Sequence, residues 1–416
     1  MSKEKLIPEL RFPEFENSGE WQYEYGDELF EPISNKNHNS DLPILAITQE
    51  QGAIPRDLID YHVSVSEKSV ERYKVVEIGD FIISLRSFQG GIEYSNYLGL
   101  CSPAYIILRK KRDVLNDFYR HYFKSFLFIQ DLNRNLEGIR DGKMISYKQF
   151  SEILIPNPRK QEQQKIASCL SSLDELIAAH KDKLDALKDH KKGLLQNLFP
   201  QEGETVPKVR FPEFEGDGEW EIKRVEDFFD VGSSKRVLQK DWTNDGVPFY
   251  RTRELVSLSK NEPFGSEIFI SEDLYIELKE SYGVPVEGDF LVSGVGTLGV
   301  IYQVKKEDKF YFKDGNVIWF SKREELDSSF FEFCFESSHI QNQIDAQTSK
   351  STVGTYTIKN ARITEFWHPP RIEEQQKIAS CLSAVDELIT AQQEKIDELQ
   401  QHKKGLMQGL FPKIES

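Results

Sequence analysis

Cysteine is scarce in this chain, and the few cysteines present are not spaced for disulfides or metal binding. Only four occur among the 416 residues, and none belongs to a CxxC pair. Isolated cysteines of this kind are typical of reduced thiols in the cytoplasm. We therefore expect a cytoplasmic protein without disulfides.

Long apolar runs are also missing. No stretch approaches the ~18 consecutive apolar residues needed to cross a bilayer, and the first residues, MSKEKLIPEL, lack the apolar centre of a signal peptide. The sequence therefore predicts no membrane segment and no membrane partner. With 38% hydrophobic and 29% charged residues, the chain can form packed cores, and its length allows roughly two to four domains.

An excess of positive charge is the third absence. The formal net charge is −16, from 53 Lys and Arg residues against 69 Asp and Glu residues. A chain with this balance is a poor candidate for holding nucleic acid through bulk electrostatic attraction. A DNA-binding role would therefore need locally placed basic residues, or positive charge supplied by a partner.

Recognisable catalytic motifs are absent as well. The sequence has no P-loop, HExxH, GxSxG, or DPPY or NPPF methyltransferase motif, and its eight histidines are scattered. The stretch GVGTLG (294–299) fits the dinucleotide pattern GxGxxG, but VIYQVKK, which is typical of a strand, stands where that site needs a helix. We interpret GVGTLG as a tight turn between strands, and we expect no catalytic residue, cofactor or metal.

What the sequence does contain is an internal repeat. The phrase LRFPEFENSGEW (10–21) returns as VRFPEFEGDGEW (209–220) after 199 residues. A stronger match links EQQKIASCLSSLDELI (162–177) with EQQKIASCLSAVDELI (374–389), 212 residues later, with 14 of 16 positions identical. The blocks between these matches differ, apart from faint echoes such as EIGDFIIS and VEGDFLVS. The chain therefore alternates shared parts with two divergent versions of one fold.

Each shared block predicts a long helix with a strict heptad seam. The 4-3-4-3 spacing continues over more than four heptads, which favours two helices that pair as a coiled coil. The seam residues are Ile166, Leu170, Leu173, Ile177, His180, Leu184 and Leu187 in the first helix, and Ile378, Leu382, Val385, Ile389, Gln392, Ile396 and Leu399 in the second. Flanking prolines limit each helix to roughly 38 residues. The alternative is burial of each stripe in a local core, which normally uses a wider stripe on a shorter helix.

The connection between the helices favours an antiparallel pair. The intervening block has roughly 160 residues and should be compact, with a radius of gyration of ~15 Å. In a parallel pair, this block would have to stretch along the whole helix to return to its start. We therefore expect antiparallel helices with the variable blocks at opposite ends, and with His180 and Gln392 forming a polar layer that fixes the register.

The variable blocks predict an α+β fold. Short β-branched and aromatic runs such as DFIISL, AYIILR and NVIWF alternate with clusters of Gly, Asp, Asn and Ser. FYRHYFKSFLFIQDL (118–132) and SSFFEFCFESSHIQNQI (328–344) predict equivalent helices in the two blocks. We expect two pseudo-symmetric domains separated by two long antiparallel coiled-coil helices. The predicted segments are a first domain at 1–158, a first helix at 159–200, a second domain at 201–370 and a second helix at 371–416.

This arrangement resembles the specificity subunit of Type I restriction-modification enzymes. The resemblance is carried by the two EQQKIASCL…DELI…HKKGL…LFP helices, the two RFPEFE…GEW phrases and the two GDF strands, and it covers nearly the whole chain. It implies that the variable blocks are target-recognition domains, each reading half of a bipartite, asymmetric sequence in double-stranded DNA.

The resemblance also has consequences for partners. It implies that the paired helices dock two methyltransferase subunits, and that restriction (nuclease-translocase) subunits join to complete the assembly. It further implies that this chain is itself not catalytic. The partner subunits would then supply the positive charge that the chain lacks.

Loops beside the strands offer the side chains that usually contact DNA, because arginine can bind guanine and glutamine can bind adenine. The candidates are Thr48, Gln49, Gln51, Arg86, Ser87, Gln89, Arg140 and Lys143 in the first block, and Arg251, Arg253, Ser293, Thr297, Lys350 and Ser351 in the second. Of these, Arg140 and Lys143 fit phosphate contacts better than base contacts. The alternative for each candidate is an ordinary solvated polar residue or a Ser/Thr turn.

The RFPEFE phrase suggests an attachment instead of DNA contact. Its single basic residue, Arg11 or Arg210, lies among acidic neighbours, which argues against contact with bases. Its aromatic residues, among them Trp21 and Trp220, could pack each domain onto the end of its helix. The alternative is contact with a partner, since exposed aromatic residues favour interfaces.

Two other classes of protein fit the sequence less well. An enzyme with duplicated catalytic domains would need the same polar constellation in both blocks, and the alignment of the blocks shows none. A coiled-coil scaffold without DNA contact would not need two large, divergent α+β domains.

Overall fold

The computed structural model describes residues 6–59, 70–134, 145–260, 262–348 and 354–412. Contacts divide the chain into two compact units. Unit 1 combines residues 1–182 with residues 393–416, and unit 2 holds residues 183–392. Each unit therefore contains one variable block and a part of each long helix.

Unit 1 is built mainly from short strands. The strands are β1 (Gln22–Tyr25), β2 (Phe30–Ile33), β3 (Leu45–Thr48), β4 (Gly52–Pro55), β5 (Lys74–Val76), β6 (Phe81–Ile83), β7 (Glu93–Tyr94), β8 (Gly99–Cys101), β9 (Ile106–Lys110) and β10 (Leu154–Asn157). The helices are α1 (Gly26–Leu29), α2 (Ser87–Gly90), α3 (Asn116–Tyr122), α4 (Phe126–Arg134), α5 (Tyr147–Ser151) and the long α6 (Lys160–Asn197), which continues into unit 2.

Unit 2 repeats this plan with different additions. The strands are β11 (Glu221–Arg224), β12 (Phe229–Gly232), β13 (Trp242–Thr243), β14 (Val247–Tyr250), β15 (Phe269–Ile270), β16 (Phe290–Ser293), β17 (Ile301–Gln303), β18 (Tyr311–Phe312), β19 (Val317–Lys322) and β20 (Glu365–His368). The helices are α7 (Val225–Phe228), α8 (Thr252–Ser259), α9 (Glu272–Tyr282), α10 (Ser328–Glu336), α11 (Ser338–Thr348), α12 (Ile358–Ile363) and the long α13 (Ile372–Leu410).

Each unit has its own four-stranded central sheet, and the two sheets have the same topology. The strand order is β2-β9-β6-β7 in unit 1 and β12-β19-β16-β17 in unit 2, and every pairing within each sheet is antiparallel. A second antiparallel pair joins β1 to β10 and β11 to β20. The additions differ, because unit 1 has the pairs β3-β4 and β5-β8 whereas unit 2 has the sheet β13-β15-β14-β18. The expected α+β fold with two related, divergent domains is confirmed.

The sequence predicts one helix at 118–132 and an equivalent helix at 328–344, but the structure has two shorter helices at each place, α3 and α4 in unit 1 and α10 and α11 in unit 2. In unit 1 the break between α3 and α4 contains Ser125, whose hydroxyl accepts a hydrogen bond from the Phe128 backbone N–H at 3.2 Å. In unit 2, Ser337 separates α10 from α11 with an extended backbone (ψ 153°), and its hydroxyl donates to the Cys334 carbonyl at 2.6 Å. Serine side chains that bond to nearby backbone compete with helix continuation, and the hydrophobic pattern does not report this.

The long helices have the predicted length, 38 residues for α6 and 39 for α13. In unit 1, Asp174 pairs with Lys403. The earlier α6 residues Ile166 and Leu170 share a buried cluster with the later α13 residue Leu410. The segments of α6 and α13 in unit 1 therefore run in opposite directions.

Unit 2 shows the same arrangement with the other halves of the helices. Lys191 pairs with Asp386 at 2.9 Å, and Leu198, further along α6, shares a cluster with Ile378, nearer the start of α13. The segments are again antiparallel. In both units every predicted seam residue is buried or half-buried.

Candidate nucleic-acid interface

The RFPEFE phrase attaches the first domain to the start of α6. Arg11 donates from Nε and Nη2 to the two carboxylate oxygens of Glu162, at 2.7 and 2.8 Å. The third guanidinium nitrogen donates to the Gly19 carbonyl at 2.6 Å, and the Trp21 indole N–H donates to Glu162 at 3.0 Å. Glu162 is only 1% exposed, and Trp21 is 4% exposed. The buried carboxylate thus holds both ends of the phrase.

Unit 2 repeats this attachment. Arg210 donates to Glu374 at 2.7 and 2.8 Å and to the Gly218 carbonyl at 2.6 Å, while the Trp220 indole N–H donates to Glu374 at 3.2 Å. The repeated phrase and the Glu of EQQ are therefore two parts of one contact. This geometry confirms the attachment interpretation of the phrase.

The glutamine that follows this glutamate fixes a second helix. The Gln163 side-chain oxygen accepts from the Leu115 backbone N–H at 3.0 Å, at the start of α3. The Gln375 oxygen accepts from the Asp327 N–H at 3.0 Å, at the start of α10. Unpaired N–H groups at a helix start need such partners. The EQ dipeptide therefore orients α3 in unit 1 and α10 in unit 2.

The GDF motif supports the strands that lead to the candidate DNA contacts. Asp80 is 1% exposed and accepts from Arg109 at 2.7 and 2.8 Å. Asp289 is 2% exposed and accepts from the Trp319 indole at 2.9 Å and from the Lys322 N–H at 3.0 Å. The same aspartate thus joins two neighbouring strands in each unit, with different partners.

In unit 1, two of the stretches that carry predicted DNA contacts lie next to each other. We call residues 48–52, the β3–β4 turn, loop A, and residues 84–91, which include α2, loop B. The Gln49 side-chain amide donates to the Arg86 carbonyl at 3.4 Å. Lys124 donates to the Gln49 carbonyl at 3.2 Å and to the Gly90 carbonyl at 3.0 Å. Loops A and B, although roughly 40 residues apart in sequence, are thereby held together.

Unit 2 also brings together two of the stretches that carry predicted DNA contacts, residues 251–255 and residues 293–299. A Cβ placed on Gly296, in the β16–β17 turn, would lie 3.8 Å from Cγ2 of Thr252, at the start of α8. The same turn bonds to a further segment, since the Tyr356 N–H donates to the Gly294 carbonyl at 2.9 Å. GVGTLG therefore lies in a turn between antiparallel strands, and no helix follows it, as the sequence predicts.

The predicted DNA contacts differ in exposure. Gln49, Gln51, Arg86, Gln89, Arg253 and Thr297 are exposed, Thr48 and Arg251 are half-buried, and Ser87 and Ser293 are buried. Arg140, Lys143, Lys350 and Ser351 lie outside the described residues. Both buried serines serve their own loops. The Ser87 hydroxyl accepts from the Ser84 N–H at 2.9 Å, and the Ser293 hydroxyl donates to the Thr297 carbonyl at 2.5 Å.

The arginines of the two units stand in different surroundings. Arg251 and Arg253 both bind Glu254, at 2.7 and 3.0 Å, and Glu267, at 3.4 and 2.8 Å. Hydrogen bonding to Glu254 raises the pKa of Arg251, and hydrogen bonding to Glu267 and then Glu254 raises that of Arg253. The Arg86 side chain is exposed. Unit 1 therefore presents an exposed guanidinium, and unit 2 an oriented, carboxylate-bound pair.

Two kinds of feature are absent from the described residues. No group of three or more His, Cys, Asp or Glu side chains there is arranged to hold a metal ion. No described helix is both long enough and apolar enough to cross a membrane.

Comparison with known proteins identifies the family. The profile of the Type I restriction modification DNA specificity domain matches residues 28–189 and 217–401. The chain belongs to this family. The match falls twice, once on each half of the repeat, and a specificity subunit of this family is a DNA-recognition protein.

Curated relatives are similar over most of their length. The Type I restriction enzyme MjaVIII specificity subunit of Methanocaldococcus jannaschii is 23% identical over 363 residues, which cover 84% of this chain and 81% of the relative. A putative type I restriction enzyme specificity subunit, MjaX, from the same organism is 24% identical over 94% of this chain and 93% of its own.

Solved structures show the same fold. The S subunit of the Type I restriction-modification system from M. genitalium has a TM-score of 0.58 at 15% identity, with 98% of this chain and 100% of that chain covered. A chain solved in work on complex assembly and conformational transition of the type I R-M system also has a TM-score of 0.58, at 17% identity, covering 94% of this chain and 97% of that one.

Sequence reasoning on this specificity subunit missed Lys124. It lies in the turn between α3 and α4, inside a stretch that the sequence predicts as one continuous helix, so the hydrophobic pattern does not mark it. One signal was available, because the residue 212 positions later is Glu336. A charge reversal at equivalent positions of two otherwise similar stretches indicates that the two units use this position differently.

Proposed function

We propose that this chain is the non-catalytic DNA-recognition subunit of a Type I restriction-modification assembly and reads a bipartite, asymmetric target. Unit 1 contacts one half-site through loops A and B, and unit 2 contacts the other through residues 251–255 and 293–299. The observation that carries the proposal is that the two units have central sheets of the same strand order but different loops. Exposed glutamines and an exposed arginine stand in unit 1, and a carboxylate-bound arginine pair stands in unit 2.

Partners complete the proposed assembly. We infer that two methyltransferase subunits dock on the chain, and that restriction subunits join through them. The net charge of −16 supports this division of labour, because affinity for DNA comes largely from phosphate contacts made by Lys and Arg. The chain supplies base contacts, and its partners supply most of the phosphate contacts.

Replacing one exposed arginine per unit tests the assignment. In the assembly with the methyltransferase, Arg86→Ala should lower discrimination against base changes in one half-site by about tenfold, because a bidentate arginine–guanine contact is worth ~1–3 kcal/mol. Arg253→Ala should affect only the other half-site, and by less, since Glu254 and Glu267 compete for its guanidinium. Methylation rates on a set of singly substituted DNA duplexes measure both.

Arg112→Ala is the matched control. Arg112 is exposed and pairs with Glu24 of β1, and neither residue belongs to loop A or loop B. Its replacement should leave discrimination at both half-sites unchanged. If Arg86→Ala and Arg253→Ala relax the same half-site, the assignment of one half-site to each unit is wrong.

A further inference from the structure

We propose that Lys124 is a positioning residue for recognition of one half-site, because its ammonium group ties loop A to loop B. The inference rests on the proposed function, since it assigns a role within the DNA-recognition surface of unit 1. Lys124 itself need not contact DNA. Its effect passes through the loops that it holds in place.

Three acceptor atoms surround the ammonium group of Lys124. Nζ of Lys124 lies 3.2 Å from the Gln49 carbonyl oxygen in loop A and 3.0 Å from the Gly90 carbonyl oxygen in loop B. Its third partner is the Glu93 carboxylate in β7, at 2.6 Å. An ammonium group has three donors, so a single side chain fixes three separate segments at their backbone or at a buried anchor.

Burial strengthens the contacts that Lys124 makes. Glu93 is 1% exposed, and the Lys124 side chain is 28% exposed. Burial lowers the pKa of Lys124 and raises that of Glu93, as expected for a charge pair with little access to water. Hydrogen bonds in such surroundings are stronger than in water, and an unpaired member would be costly. Moving loop A away from loop B therefore requires these hydrogen bonds to break.

Packing between the loops reinforces the tie. A Cβ placed on Gly90 would lie 2.7 Å from Cδ of Gln49, so the glutamine side chain lies directly against the glycine. The neighbouring exposed side chains Gln51, Arg86 and Gln89 are carried by these same two loops. Their relative positions depend on the contact that Lys124 holds closed.

The residue at the equivalent position of unit 2 does not make the corresponding contacts to described residues. Glu336, 212 residues after Lys124, ends α10 and pairs with Lys191 of α6 at 3.1 Å. Within the described part of unit 2, Glu336 forms no bond to residues 251–255 or 293–299. The equivalent position of unit 2 therefore does not join these two segments in the part of the unit that the structure describes, and Glu336 provides a matched control.

The test measures specificity in the assembly of this chain with its methyltransferase, once sequencing of methylated genomic DNA has given the target. The variants are Lys124→Met, the double variant Lys124→Met with Glu93→Gln, Lys124→Arg, and Glu336→Met as control. The double variant avoids a buried unpaired carboxylate. Should it not fold, Lys124→Gln, which removes the charge and keeps only an amide NH₂ as donor group, gives the same comparison. Methylation rates are compared on duplexes with single changes in either half-site.

We expect the double variant to lose about tenfold discrimination in one half-site, a loss equal to one good base contact. Discrimination in the other half-site should not change, Lys124→Arg should recover most of the loss, and Glu336→Met should change neither half-site. Equal weakening on all sequences would overturn the proposal and indicate a phosphate contact. Unchanged discrimination would also overturn it. The proposed function fails separately, if Arg86→Ala and exchange of a whole recognition block leave the target unchanged.

Discussion

Glu162→Ala is expected to lower the free energy of unfolding of unit 1 by about 3–5 kcal/mol, the range for breaking a buried ion pair. The Glu162 carboxylate accepts two hydrogen bonds from Arg11 and one from Trp21. Its removal leaves the Arg11 side chain, which is 6% exposed, with a buried and uncompensated charge. Scanning calorimetry of the chain should show this loss as a lower transition temperature.

Two variants control for this effect. Glu175→Ala removes an exposed glutamate from the same helix and should change the free energy of unfolding by less than about 0.5 kcal/mol. Arg11→Met combined with Glu162→Met removes both charges, and should recover much of the loss because no buried charge remains. A single Glu162→Ala variant as stable as the native chain would show that the RFPEFE phrase does not attach the domain to its helix.

Gly91→Ala should be strongly destabilising and should also relax one half-site. Gly91 has φ 78° and ψ −165°, a region of backbone conformation that is nearly exclusive to glycine. A Cβ on Gly91 would lie 2.0 Å from the Phe123 carbonyl oxygen, so backbone must move to admit it. We expect a cost of about 3 kcal/mol or more, and displacement of loop B away from loop A.

Gly193 is the matched control for this substitution. It lies within α6, and a Cβ there would meet nothing within 4 Å. Gly193→Ala should therefore stabilise the chain by about 0.5–1 kcal/mol, since alanine favours a helix interior. Chemical denaturation and methylation of singly substituted duplexes give the two measurements. If Gly91→Ala leaves both stability and half-site discrimination intact, the conformation of loop B does not matter for recognition.

The repeat made much of the fold predictable. Matched heptads and matched flanking prolines predict two long helices, and the lengths of α6 and α13 agree. What the heptads do not show is which polar residues lie in the interface. His180 and Gln392 were expected to form the polar layer, and that remains a prediction. The polar contacts seen between α6 and α13 include the ion pairs of Asp174 with Lys403 and of Lys191 with Asp386.

Contacts between distant residues were the part that sequence reasoning could not supply. The partners Arg11 and Glu162 stand 151 positions apart, and both occur in recognisable motifs. Each motif was found separately, but nothing in either one states that they meet. Lys124 is a similar case, because its partners Gln49 and Gly90 belong to loops whose proximity only the fold creates.

Side-chain direction limited the prediction of DNA contacts. Ser87 and Ser293 have hydroxyl groups, which can contact bases, but these hydroxyls form hydrogen bonds within their own loops. A short polar residue beside a strand can face solvent or its own backbone with equal ease. Longer side chains such as Gln51 and Arg86 reach solvent from the same loops, so these remain the stronger predictions.

The central claim is that each unit reads one half of the target. The most direct test replaces residues 201–370 with the corresponding block of a relative that keeps the equivalents of Arg210 and Trp220, so that attachment to Glu374 is preserved. Methylated bases in genomic DNA are then sequenced from cells carrying either chain with the same methyltransferase. We predict that one half of the methylated motif changes while the other half is retained. A motif that changes in both halves, or in neither, would contradict this account.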